Sequence, residues 1–99
     1  MLNIKKTLDG SKLTVALEGR LDTSTAPQLE EDLKSSIGGV SELLMDFSGL
    51  EYISSAGLRV LLSAQKIMNK QGSMKLTGVN DVIREIFDVT GFSDILTIE

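Results

Sequence analysis

The sequence predicts an α/β fold: a four- to five-stranded, mostly parallel sheet with an antiparallel N-terminal hairpin and three main helices largely on one face. Three observations support this prediction. An Asp9-Gly10 turn separates two strand-like runs near the N-terminus, which is the pattern of a β-hairpin. Apolar residues recur at helical spacing in three later segments. Short apolar runs lie between these segments, as expected where parallel strands alternate with crossover helices.

The first half of the chain contains the hairpin and one helix. We predict strands over residues 2–8 and 12–19, because the second run alternates apolar with small or polar residues. The first helix is predicted over residues 24–37. Thr25 and Gln28 have the spacing of a capping box, in which two side chains satisfy the first free amides of a helix.

The second half alternates short strands with helices. The predicted elements are strands over 42–47 and 74–77, helices over 56–70 and 80–90, and a last short strand or extended tail at 95–98. Ser48-Gly49 is expected to end the third strand. Asn80 and Gly91 are residue types that begin and end helices, which sets the bounds of the third helix.

The composition limits the classes of function. A chain of 99 residues is expected to form one domain over residues 1–99, and a formal charge of −4 argues against direct nucleic-acid binding. Cys and His are absent, which removes disulfides, the commonest metal ligand and the commonest general base. No apolar run reaches membrane-spanning length, so we expect a cytoplasmic protein without direct membrane insertion. We also expect no cofactor and no metal.

Two serines, Ser54 and Ser55, stand at the predicted turn into the second helix. They lack the first glycine of a nucleophile elbow, and no histidine is present as a base, so we predict no catalytic residue. Free N–H groups at a helix start favour an anion, although the Gly-Lys ending of a phosphate-binding loop is missing. The simplest interpretation is a serine cap. The segment before these serines, residues 46–53, is more elaborate than a simple cap requires, which favours a functional interpretation.

Residues 45–62, MDFSGLEYISSAGLRVLL, resemble the signature of the anti-sigma-factor antagonist family, the STAS domain. Residues 19–22 (GRLD) match the family's G-x-L-D element. Residues 82–91 resemble its third helix, with Phe87 and Gly91 in the expected places. The resemblance spans nearly the whole chain and therefore implies a single STAS-type domain.

The resemblance implies an anti-sigma-factor antagonist controlled by phosphorylation. In bacterial members, an anti-sigma factor that is itself a serine kinase phosphorylates a serine at the start of the second helix. The unphosphorylated antagonist sequesters that factor and so frees a sigma factor for transcription. Aligned on Gly57-Leu58, the acceptor is Ser55, and Ser54, which stands at the family's Asp position, is the alternative. The partner kinase would supply Mg-ATP, and a phosphatase would reverse the reaction.

A contact surface for the partner is expected where two loops meet. The loop after the second strand and the start of the second helix both follow parallel strands, and ligands gather at that edge of a sheet. The predicted partner-binding residues are Asp22, Thr23, Ser24, Ser54, Ala56, Gly57, Leu58 and Arg59. Capping by the hydroxyls and packing by Leu58 are simpler interpretations. Arg59 is expected to meet a partner acid, to balance a phosphate, or to remain solvated.

An alternative function is a STAS-type scaffold or an accessory subunit of a stress-sensing complex or membrane transporter. STAS-like domains also occur in such assemblies, so the resemblance alone does not separate the two functions. A neighbouring gene for a small serine kinase would favour the antagonist. Neighbouring genes for transporter subunits would favour the accessory subunit.

Overall fold

The computed structural model describes residues 2–99 and has the predicted alternation of strands and helices. The strands are β1 (Leu2–Asp9), β2 (Lys12–Leu21), β3 (Glu42–Ile53) and β4 (Ser73–Thr77). The helices are α1 (Ala26–Ser36), α2 (Ser55–Gln71) and α3 (Asp81–Thr90), followed by a short 3-10 helix at Phe92–Asp94. Most predicted bounds are correct to within a few residues.

Within the described residues, the strands form one sheet in the order β1-β2-β3-β4. β1 and β2 pair antiparallel, from Leu2 with Gly19 to Asp9 with Lys12, which confirms the predicted hairpin. Gly10 in the turn has a φ of 61°, a conformation that favours glycine. The pairs β2–β3 and β3–β4 are parallel. The carboxyl ends of these three strands therefore share one edge, and the segments that follow β2 and β3 are neighbours.

The helices cover one face of the sheet, as predicted. The buried strand residues alternate along each strand and share this face: Leu2, Leu13, Val15, Leu17, Leu21, Leu43, Met45, Phe47, Leu50, Ile53, Met74 and Leu76. Phe87 of α3 packs against Phe47, with 6.4 Å between the ring centroids. Side chains on the other face, such as Thr14, Ala16 and Leu44, are only half-buried, because no helix of residues 2–99 covers them.

Strand β3 is longer than predicted. The sequence predicts a break at Ser48-Gly49, but the strand continues through these residues to Ile53. The register against β2 shifts between Asp46 and Gly49, so one extra residue is accommodated as a β-bulge. The Asp46 carboxylate accepts hydrogen bonds from both the amide and the hydroxyl of Ser48, which fixes the bulge. The prediction was wrong because turn-forming residues are also the residues that form bulges.

Residues 95–98, predicted as a last short strand or an extended tail, form a tail with one isolated bridge to the sheet. Ile98 forms a single parallel bridge with Leu76, and the Glu99 amide donates to the Leu76 carbonyl at 2.8 Å. The C-terminal tail is thus attached to the β4 edge, and the sheet has four strands within the described residues.

Helix α1 begins at Ala26, later than predicted, and the predicted capping box does not form. The Thr25 hydroxyl donates to the Arg20 carbonyl at 2.8 Å, and Gln28 Nε2 donates to the Leu2 carbonyl at 3.4 Å. Both side chains are therefore bonded to strands, and neither caps the helix. Thr25 thus stabilises the turn before α1 and does not cap the helix.

Helix α3 has both predicted ends. Asn80 Oδ1 accepts from the Ile83 amide at 2.9 Å, and Gly91 ends the helix with a φ of 82°. Asn80 Nδ2 also donates to the Leu50 carbonyl at 2.9 Å, which ties the start of α3 to β3. The cap residue thus serves both the helix and the sheet.

Candidate functional site

The junction between β3 and α2 separates the two candidate serines. Ser54 is the N-cap residue with an extended backbone, and its amide donates to the Leu21 carbonyl at 2.9 Å. Its Oγ is buried and has no hydrogen-bond partner among residues 2–99. Ser55 is the first residue of α2, and its side chain is exposed. Of the two hydroxyls, only that of Ser55 is open to a second protein.

Gly57 and Leu58 lie beneath this surface and not on it. Leu58 is 6% exposed and belongs to the hydrophobic core. A Cβ added to Gly57 would lie 2.7 Å from Leu21 Cγ and 2.8 Å from Ile53 Cγ1. The predicted direct contact of these two residues with a partner is therefore corrected: they pack α2 against the ends of β2 and β3. The hydrophobic effect favours this placement of Leu58, and the close approach requires glycine.

A substitution of Gly57 tests this packing. We expect Gly57→Ala to lower the free energy of unfolding by about 1–3 kcal/mol, because overpacking outweighs the better helix propensity of alanine. Gly38→Ala is the matched control, since no atom lies within 4 Å of its added Cβ. Urea unfolding measures both variants. A Gly57→Ala protein as stable as the wild type would contradict the close packing.

The segment between β2 and α1 is organised by one carboxylate. Asp22 Oδ1 accepts from the Ser24 amide at 3.0 Å, from the Ser24 hydroxyl at 2.8 Å and from the Thr25 amide at 3.1 Å. Thr25 is buried, whereas Thr23 and Ser24 are exposed. The bond from Ser54 to the carbonyl of Leu21 holds this segment beside the start of α2.

The carboxylate network makes the stability of this segment depend on pH. The Ser24 hydroxyl, with backbone amides of Thr25 and Ser24, holds the pKa of the Asp22 carboxyl below its usual value of 3.8. A depressed pKa in the folded state stabilises the protein above the unfolded-state pKa, and that stabilisation is lost as the pH falls through the folded-state pKa.

We therefore expect Asp22→Asn to be less stable than the wild type at neutral pH. The difference should shrink as the pH falls well below 3.8, where the wild-type carboxyl is protonated. Thermal unfolding across this range measures the effect. Asp9→Asn is the control, because no side-chain hydrogen bond joins Asp9 to another of residues 2–99. A stability difference between Asp22→Asn and the wild type that does not vary with pH would contradict the prediction.

A shallow groove joins the two segments. It has a volume of about 220 Å³ and lies between the starts of α1 and α2; its lining residues are Thr23, Ala26, Pro27, Glu30, Ala56, Arg59 and Val60. Three residues that were predicted to bind the partner thus meet here: Thr23, Ala56 and Arg59. Asp22 and Ser24 belong to the adjacent turn, so the predicted proximity of the two loops is observed.

Several residues of this region were not predicted from the sequence. Pro27 and Glu30, both from α1, line the groove. Arg20 lies over the ring of Tyr52, 4.6 Å from its centroid, and its Nε is 4.0 Å from the Asp22 carboxylate. The register of β2 against β3 pairs Arg20 with Tyr52. The sequence did not indicate this pair, because the register depends on the bulges in β3.

Among residues 2–99, no group of three acidic side chains is close enough to hold a metal ion. None of the helices in this range is long and apolar enough to cross a lipid bilayer.

Comparison with known proteins identifies close relatives in sequence. A family model described as "Mlab, STAS domain" matches residues 4–97. BtrV of Bordetella bronchiseptica, named as an anti-sigma factor antagonist, is 37% identical over 93 residues, covering 92% of this chain and 79% of its own. The anti-sigma-B factor antagonist of Bacillus subtilis is 30% identical over 98 residues, covering 98% of this chain and 90% of its own.

Solved structures share the fold. An anti-sigma factor antagonist from Mycobacterium paratuberculosis has a TM-score of 0.89 at 20% identity, with 99% of this chain and 85% of that chain covered. The phosphorylated form of the Bacillus protein SpoIIAA has a TM-score of 0.75 at 18% identity, with 100% and 91% covered. The family match over residues 4–97 and the sequence relatives together confirm the resemblance: this chain belongs to the STAS domain family.

Proposed function

We propose that this chain is an anti-sigma-factor antagonist, a non-enzymatic protein that binds an anti-sigma factor and thereby releases a sigma factor for transcription. Two relatives that match over nearly the whole chain are named as antagonists of an anti-sigma factor. The observation that carries the proposal is the position of Ser55, an exposed hydroxyl at the first residue of α2. A hydroxyl in this position is accessible to a kinase that is also the binding partner.

The partner in this proposal is a serine kinase. Ser55 Oγ attacks the γ-phosphate of the Mg-ATP that the kinase binds; the P–O bond to ADP breaks and the hydroxyl proton passes to a base of the kinase. All ATP chemistry is thus performed by the partner. The relevant precedent is SpoIIAA, which has the same fold and has been solved in a phosphorylated form. A phosphatase returns the protein to its binding form.

We define the contact surface as the exposed or half-exposed residues around Ser55. Its members are Asp22, Thr23, Ser24, Ser55, Ala56 and Arg59. Gly57 and Leu58 are buried and support this surface from beneath. Ser54 is half-buried at its border, and we leave it out because its Oγ is buried. The surface combines one carboxylate, one guanidinium and small hydroxyls, so it offers both charges and hydrogen-bonding groups to a partner.

Phosphorylation changes this surface without changing the fold. A phosphoserine brings a charge of about −1.5 to −2 at neutral pH. The start of a helix favours a negative charge, because it has free N–H groups and is the positive end of the helix dipole. The same charge on a partner-facing surface disturbs the interface through repulsion and bulk. The modification therefore weakens binding while the antagonist itself remains folded.

A pull-down from the native cytoplasm tests the proposed function. The wild-type protein is expected to retain an anti-sigma factor with kinase activity, and adding it to the complex of that factor with its sigma factor should release the sigma factor. Transporter subunits or components of a stress-sensing complex among the retained proteins, without an anti-sigma factor, would instead support the alternative function as an accessory subunit.

A further inference from the structure

Arg59 lies one helical turn beyond Ser55 on α2. Residues four positions apart share a face of an α-helix, and side chains tilt toward the N-terminus of the helix. Arg59 lines the groove next to Ser55, and its side chain is long enough for the guanidinium to reach a group carried by Ser55. Arg59 is exposed, and none of the ion pairs within residues 2–99 involves it. By contrast, Arg20 is stacked on Tyr52.

The start of α2 has free hydrogen-bond donors. Ser54 has the backbone of a cap residue, but its hydroxyl makes no capping bond within the described chain. The first bond of the helix runs from the Leu58 amide to the Ser54 carbonyl, at 3.0 Å. The amides of residues 55–57 are therefore left without a partner among residues 2–99.

We propose that Arg59 is the positioning residue for the phosphate on Ser55: its guanidinium and the free amides of residues 55–57 hold the phosphate against its own helix. This inference rests on the proposed phosphorylation of Ser55. Arginine suits the role, because its planar donors form two parallel bonds to a phosphate. Phosphorylation of Ser55 then has two effects at the contact surface. It adds an anion, and it binds the guanidinium of Arg59, which would otherwise be free to contact an acid of the partner.

The neighbouring acids leave Arg59 available for this role. Glu30 lines the same groove from α1, but its carboxylate is 3.5 Å from the Lys34 amine. The Asp22 carboxylate, in the segment before α1, is bonded to Ser24 and Thr25. Both acids thus have other partners, and neither forms an ion pair with Arg59 among residues 2–99.

Titration of the phosphate by phosphorus NMR tests the inference. Phosphoserine is incorporated at position 55 during synthesis of the full chain, so that the measurement does not depend on any kinase. A nearby cation favours the doubly charged form, so we expect Arg59→Gln to raise the second pKa of the phosphate, ordinarily about 6, by about half a pH unit. Arg59→Lys should restore part of this difference.

Lys66→Gln is the matched control, because Lys66 is an exposed cation later in α2. It should leave the titration of the phosphate unchanged. Equal titrations of the wild-type and Arg59→Gln phosphoproteins would overturn the inference. Failure of every kinase to phosphorylate Ser55 would instead count against the proposed function, and the synthetic phosphoprotein would still decide the role of Arg59.

Discussion

Ser55→Ala is expected to abolish incorporation of phosphate by the cognate kinase. The physical reason is accessibility: Ser55 is exposed at the start of α2, whereas the Oγ of Ser54 is buried. A kinase must bring the acceptor oxygen in line with the γ-phosphate, and a buried hydroxyl cannot reach that position without local unfolding. Incubation with the kinase and Mg-ATP, followed by mass spectrometric mapping, measures the effect.

Ser54→Ala is the matched control for this experiment. It should be phosphorylated like the wild type and should be at least as stable, because removing an unpartnered buried hydroxyl removes an uncompensated desolvation cost. Ser55→Ala should also keep its fold, since an exposed serine at the helix start contributes at most about 0.5–2 kcal/mol. If the phosphate mapped to Ser54, that residue would be the acceptor, and the assignment of Ser55 would be contradicted.

Ser55→Asp is expected to weaken binding to the anti-sigma factor by about tenfold or more. Like charges brought together at an interface cost several kcal/mol, and 1.4 kcal/mol corresponds to a factor of ten. A carboxylate carries one charge and lacks the size of a phosphate, so the effect should be smaller than that of phosphorylation itself. Calorimetric titration of each variant with the purified partner gives the dissociation constants.

A second aspartate variant controls for the added charge alone. Ser11 is exposed at the turn between β1 and β2, at the opposite edge of the sheet from Ser55. Ser11→Asp should bind the partner as tightly as the wild type. If both variants weakened binding equally, the effect would come from net charge and not from the contact surface.

The order of elements could be predicted from local signals. Asp9-Gly10 specifies the hairpin, and Asn80 and Gly91 specify the ends of α3, because each acts through atoms within a few residues of itself. The signature around Ser55 likewise identified the family and the helix start. Signals of this kind do not depend on which strands become neighbours.

The features that were not predicted depend on contacts between distant segments. Whether Ser48-Gly49 ends a strand or forms a bulge is decided by pairing with β2. Thr25 is a capping residue by spacing, yet it bonds to the Arg20 carbonyl because the turn brings that carbonyl close. Propensity and spacing describe a segment in isolation, and tertiary contacts override them here.

The candidate site shows the same division. The sequence identified Ser54 and Ser55 as candidates but could not tell which one is exposed, because this depends on how β3 enters α2. For Leu58 the sequence left two interpretations open, contact with a partner and packing inside the domain. Its burial follows from the packing of α2 on the sheet, with Gly57 allowing the close approach.

Calorimetric titration of the anti-sigma factor with unphosphorylated and with fully phosphorylated protein tests most directly whether a phosphate on Ser55 controls binding. We expect the unphosphorylated form to bind tightly and the phosphorylated form to bind more than tenfold more weakly, with unchanged circular dichroism spectra, because the modification adds about −1.5 to −2 charges at the contact surface. Equal dissociation constants for the two forms would contradict the switch and leave a constitutive scaffold as the function of this domain.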